Sequence, residues 1–198
     1  MTTQQVEFFY DVGSPASYLA WTQLPRLCEQ AGAALVLRPM LLGGVFQATG
    51  NASPAAVPPK GSYVFMDLMR HAQRYGVPFN RNPFFPINTL TLMRAIAGAQ
   101  VHAPGQVAAI TDGAFKAIWV DSLDMNDAHV ASTALANAGF PSGEVAQWVS
   151  DPTVKAHLKA TTEEAVARGV FGAPTMFVDG QMFFGQDRLD WVREALAG

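Results

Sequence analysis

Cysteine is almost absent from this chain of 198 residues: Cys28 is the only one. One thiol cannot close an intrachain disulfide, which excludes a disulfide-stapled scaffold and fits a reducing compartment. Charge is also sparse, at 15% of residues, and nearly balanced: thirteen Lys and Arg against sixteen Asp and Glu, a net charge of −3. The basic residues form no run, so nucleic acid is not an expected partner. There is no block of like charge and no low-complexity tract longer than a loop. No uncharged apolar stretch approaches the ~18 residues of a membrane helix, so no membrane span is expected. No basic segment and apolar run precede the first strand pattern, so no secretory leader is expected and the cytoplasm is the expected location. His71, His102, His129 and His157 show no metal-ligand spacing with one another or with Cys28, and no metal site is expected.

Apolar residues, by contrast, make up 49% of the chain, enough for a sizeable core. The length suits one domain, or one domain carrying an insertion. Residues 6–10, Val-Glu-Phe-Phe-Tyr, read as a strand. Ser14-Pro15 then reads as a helix start, Ser as N-cap and Pro as first helical residue. The helix should reach about Gln30 and stop at Gly32, with Pro25 predicting a kink or broken turn. Residues 34–39 are a second strand, and the three elements suggest a βαβ unit. A long loop rich in Gly, Pro, Ala and Ser is expected over 43–61.

Helical patterns fill most of 62–168, at 63–75, 89–100, 107–120, 127–138, 141–150 and 152–168. Strands return at 175–178 and 181–184 around Asp179-Gly180, a type I′ hairpin signal. Asp187 is the expected N-cap of a last helix, 188–196. The order β-α-β, helical block, β-β-α is that of an α/β thioredoxin-like fold with a large all-helical insertion. The expected division is a discontinuous thioredoxin-like domain, 1–61 and 169–198, and an inserted helical domain, 62–168.

Three features bear on chemistry. The first turn after Ser14 offers unpaired N–H groups and roughly half a positive charge from the helix dipole, which favours an anion such as a thiolate. Redox members of the fold carry C-x-x-C in this turn; here it is Ser14-Pro15-Ala16-Ser17, so dithiol exchange is excluded. The Ser14 hydroxyl can still donate to a ligand thiolate and lower its pKa. Read alone, Ser14 is an ordinary helix cap. Second, Gly172-Ala173-Pro174-Thr175 stands where the fold places a cis-proline, leaving the Ala173 backbone open to an extended peptide. A trans proline opening a strand is the plainer alternative. Third, Gln186 and Asp187 lie at a loop tip where they could hold the charged end of a γ-glutamyl group, although capping is the default reading of Asp187.

The chain resembles the 2-hydroxychromene-2-carboxylate isomerases, which are close to the kappa-class glutathione transferases and to DsbA-like thioredoxin-fold proteins. The matching runs are Phe-Tyr-Asp-Val-Gly-Ser-Pro-Ala-Ser-Tyr-Leu-Ala at 9–20, Gly-Val-Phe-Gly-Ala-Pro-Thr-Met-Phe-Val at 169–178 and Phe-Gly-Gln-Asp-Arg-Leu at 184–189. Gly43-Gly44-Val45-Phe46, Gly50-Asn51 and Lys60-Gly61-Ser62-Tyr63 match as well.

The resemblance implies glutathione as cofactor and a homodimer. Ser14 would bind and activate the glutathione sulfur. Asn51 and Lys60 would line the site, Ala173 and Pro174 would meet the cysteinyl backbone, and Gln186 and Asp187 the γ-glutamyl end. Without the family, Asn51 is a turn residue and Lys60 a solvated charge. Phe85 and Asn88, from Phe84-Phe85-Pro86-Ile87-Asn88-Thr89, would add an aromatic wall and an amide to the substrate pocket, with Asn88 otherwise a helix cap. Lys60 would suit the carboxylate of a small unsaturated aromatic substrate. The implied reaction is cis-trans isomerisation of 2-hydroxychromene-2-carboxylate to trans-o-hydroxybenzylidenepyruvate in aromatic breakdown. A transferase or peroxidase acting on another electrophile, and a binding module without activity, remain as rivals.

Overall fold

A computed structural model describes residues 4–198. The chain opens with β1 (Gln5–Tyr10), α1 (Pro15–Ala31) and β2 (Ala34–Pro39). The two strands are parallel, with Val6 opposite Leu35 and Tyr10 opposite Pro39. At the other end β3 (Thr175–Val178) runs antiparallel to β1, and β4 (Gln181–Phe184) antiparallel to β3. The sheet order is β2-β1-β3-β4. Asp179 and Gly180 both take positive φ, 48° and 81°, as a type I′ turn requires.

β1 is central and covered on both faces, which is why its sequence is a nearly continuous apolar run. Its side chains alternate between two apolar clusters. Val6, Phe8 and Tyr10 join Leu19, Leu24 and the helical segment. Phe9 joins Met40, Val45, Ala165, Val170 and Phe177 on the opposite face.

Eight further helices follow α1 among the described residues: α2 (Leu42–Thr49), α3 (Pro58–Tyr75), α4 (Leu90–His102), α5 (Val107–Trp119), α6 (Ala128–Asn137), α7 (Ser142–Ser150), α8 (Pro152–Ala167) and α9 (Leu189–Ala197). α8 lies over the Phe9 face of the sheet. Arg168, just past its end, grips the Glu7 carboxylate with two bonds, at 2.9 and 2.7 Å. The same guanidinium lies over the rings of Phe9 and Phe177. Arg38 of β2 pairs with Glu164 of α8.

Three expectations are corrected. The span 43–61 is not a loop: α2 and a short turn, Pro54–Ala56, occupy most of it, and α3 begins at Pro58. Burial of Val45 against the Phe9 cluster anchors α2 despite its two glycines. Pro25 does not break the helix, since α1 runs on to the left-handed Gly32. The last helix starts later than expected. Gln186–Arg188 form a single 3-10 turn before α9, and the Asp187 carboxylate caps no helix N–H among the described residues. It lies instead 3.1 Å from the Arg188 guanidinium. No helix of the described residues is long and apolar enough to cross a membrane.

Candidate active site

The β1–α1 junction brings Ser14 to the centre of a cleft. Ser14 is extended, at φ −89° and ψ 114°, and its Oγ accepts the Ser17 N–H at 3.1 Å while Pro15 opens the helix. It is therefore the N-cap that its sequence predicts. It is also more than a cap. Ser14 is only 4% exposed, and its hydroxyl donates across 159 residues to the Ala173 carbonyl at 3.0 Å. Gly13 before it is needed for space: a Cβ there would sit 2.8 Å from the Thr89 methyl.

The Ala173–Pro174 peptide is cis, as the motif suggested. The Ala173 N–H has no hydrogen-bond partner among the described residues. Two neighbours brace this loop. The Asn51 amide, just past α2, donates to the Phe171 carbonyl at 2.8 Å, and the Gly185 N–H donates to the Pro174 carbonyl at 3.0 Å. Gly185 sits at φ 106° and ψ 147°, backbone essentially restricted to glycine. It turns the chain so that Gln186 and Asp187 reach the same cleft. Gln186 is buried, and its carbonyl accepts the Tyr75 hydroxyl at 2.9 Å.

The cleft measures about 740 Å³. Ser14, Asn51, Lys60, Phe85, Ala173, Pro174, Gln186 and Asp187 all line it. Aromatic rings form much of its remaining wall, from Phe46, Tyr63, Phe65, Phe171 and Phe184. Lys60 stands exposed on the first turn of α3 and makes no ion pair with the described residues. Hydroxyl, helix N-terminus, open backbone amide and aromatic walls together suit a peptide-like thiol beside a flat apolar partner.

The family model of the DsbA-like thioredoxin domain matches residues 5–197. A 2-hydroxychromene-2-carboxylate isomerase of Sphingobium xenophagum is 32% identical over 196 residues, 98% of each chain. The chain belongs to the DsbA-like thioredoxin family, among these isomerases and their relatives. The glutathione S-transferase kappa 1 of Homo sapiens is 33% identical over 205 residues, covering 96% of this chain and 90% of that one. A solved 2-hydroxychromene-2-carboxylate isomerase superposes with a TM-score of 0.85 at 28% identity, covering 98% and 94% of the two chains.

One expected residue of this DsbA-like chain stands apart from the cleft. Asn88 is exposed and does not line it; its side-chain oxygen accepts the Leu90 N–H at 3.2 Å in the turn that leads into α4, whose N-cap is Thr89. The amide that does face this region at close range is Asn51. Neither the cis Phe85–Pro86 peptide nor the pairing of Phe171 with Phe184, ring centroids 4.6 Å apart, was foreseen from sequence.

Asp11 and Thr89 were missed as well. Asp11 is 1% exposed, lines the cleft beside Ser14, and accepts three hydrogen bonds. Burial pushes its carboxyl above the ordinary carboxylate value, opposed by the donors Gly13, Leu42 and Thr89. The one available signal was an acid ending an apolar strand, two residues before a glycine whose N–H it can accept. Cys28 lies elsewhere, on α1. It is 3% exposed, and burial pushes its thiol up to about 11, so it is an inert core thiol. No group of three or more His, Cys, Asp or Glu among the described residues is placed to hold a metal ion.

Proposed function

We propose that this protein is a glutathione-dependent isomerase converting 2-hydroxychromene-2-carboxylate to trans-o-hydroxybenzylidenepyruvate. The observation that carries the reading is the juxtaposition of the Ser14 hydroxyl and the open Ala173 amide at the α1 N-terminus, at 3.0 Å from Ser14 Oγ to the Ala173 oxygen. Relatives that are named isomerases and glutathione transferases support it.

The residues present fit glutathione. The Ala173 N–H is unpaired and its carbonyl has one lone pair to spare, so both can meet an extended cysteinyl unit. Gln186 and Asp187 offer an amide and a carboxylate for the γ-glutamyl end. When bound, glutathione would supply a sulfur whose reversible addition to the conjugated ring system turns a double bond into one that rotates freely.

The chain's own residues do the rest. The Ser14 hydroxyl has a single hydrogen, which the Ala173 carbonyl now accepts. With the Ala173 carbonyl free to accept a ligand amide instead, the Ser14 hydroxyl would be able to turn toward a bound sulfur. There it donates to the charged form, and the 17-residue α1 adds the field of its N-terminus. Lys60 meets the substrate carboxylate, and Phe85 with the Phe171–Phe184 pair flanks the ring. Asn51 holds the loop that carries Ala173. The protein would work as a homodimer in the cytoplasm.

The test is turnover of the chromene with and without glutathione, in wild type and Ser14→Ala. Turnover that requires glutathione and falls on the order of 100-fold in the variant is expected. Turnover without glutathione, or an undiminished variant, overturns the reading. The kappa-class relatives favour one second reading, the same thiolate site acting on another electrophile. Rapid conjugation of an aryl halide or reduction of a peroxide, with the chromene untouched, would select it.

A further inference from the structure

Asp11 joins three separate segments at the base of the cleft. Its Oδ1 accepts the Gly13 N–H at 2.9 Å, in the turn that carries Ser14. Its Oδ2 accepts the Leu42 N–H at 2.9 Å, at the start of α2, and the Thr89 hydroxyl at 3.0 Å, at the start of α4. The first segment presents the hydroxyl, the second leads to Asn51, and the third ends the aromatic 85–87 wall. Two of these donors are backbone N–H groups, which cannot accept a proton from the carboxyl in return. The bonds therefore favour the ionised acid, whereas burial disfavours it. A charge on Asp11 would also share the α1 N-terminus with any anion held at Ser14, so the two must titrate as a coupled pair.

We propose that Asp11 is the positioning residue of this site: its carboxylate locks the Ser14 turn, α2 and the start of α4 together, and its charge sets how readily a sulfur beside Ser14 ionises. The bearing on glutathione rests on the proposed function; the electrostatic coupling stands without it. Few other groups compete. On β1 only Tyr10 titrates next to Asp11, and its phenol is buried against Thr111. α2 has no ionisable side chain, and the first turn of α1 has only the Tyr18 phenol, bonded to the Pro78 carbonyl. The 85–89 segment has none, and Arg94 is the first on α4. Lys60, Asp67, Asp187 and Arg188 face the cleft from α3 and the last turn.

The experiment uses a sulfur installed at the site. A Ser14→Cys variant is alkylated with iodoacetamide across a range of pH, and the midpoint of the rate is compared with that of Ser14→Cys/Asp11→Asn. The buried Cys28 thiol contributes no fast phase. Removing the Asp11 charge should lower the midpoint by about one pH unit. An unchanged or raised midpoint overturns the proposal, and a purely structural role would not move it. If the Asn variant fails to fold, Ser14→Cys/Asp11→Ser removes the same charge while keeping an acceptor for the Gly13 or Leu42 N–H. The same fall is expected, and an unchanged or raised midpoint again overturns the proposal. Failure of the glutathione reading is seen separately, as wild type whose melting temperature ignores millimolar glutathione while the alkylation shift persists.

Discussion

At the scale of single residues, Ser14 holds two jobs at once. Its oxygen accepts the Ser17 N–H and its hydrogen reaches the Ala173 carbonyl. Ser14→Ala should cost about 1–2 kcal/mol in urea unfolding, since a cap and a partly buried bond are lost together. Cys28 has the opposite character. Native protein should resist thiol reagents that modify it completely once urea unfolds the chain, because burial hides the thiol and raises its pKa to about 11. The residues legible in the sequence were those whose chemistry is local. A serine before a proline announces a cap whatever surrounds it. Asp11 was illegible because two of its donors lie 31 and 78 residues away. Asn88 and Asp187 show that even local chemistry leaves a choice: neither is the N-cap of the helix that follows it, although Asn88 accepts the Leu90 N–H.

Elements declare themselves through periodicity, and most of the helical segment did so. α2 did not, because Leu-Gly-Gly-Val-Phe-Gln-Ala-Thr has one fully buried side chain, Val45, and two poor helix formers. Tertiary contact makes the helix: the Asp11 carboxylate accepts its first N–H, and Val45 packs with Phe9. The placement matters because α2 delivers Asn51 to the Phe171 carbonyl. Asn51→Ala should raise the half-saturating glutathione concentration several-fold, for a loss of about 1 kcal/mol. The side chain is exposed, so the melting temperature should barely change.

On the scale of the whole molecule, the β-α-β and β-β-α halves were readable from strand pattern, hairpin and cap, since each signal lies within a few residues. The cleft between them was not, because its walls come from α1, α2, α3 and both proline loops. Two acids, half-buried Glu7 and buried Asp11, give the molecule opposing responses to pH. Arg168 holds the Glu7 carboxyl below its ordinary 4.5. That stability is complete above 4.5 and is lost as pH falls through the lower folded value. Arg168→Met should therefore destabilise by about 1–3 kcal/mol near neutrality, and by less in acid, in urea unfolding across pH. Asp11 is raised above its ordinary 3.8, so its contribution falls as pH rises from there through the folded value. Wild type should accordingly gain stability relative to Asp11→Asn as pH drops through that window. The central claim is that Ser14 holds glutathione as a thiolate. Its most direct measurement is the ultraviolet difference absorbance of glutathione bound to wild type and to Ser14→Ala at neutral pH. A thiolate band in wild type that vanishes in the variant is expected; no band, or an equal band in both, would contradict the claim.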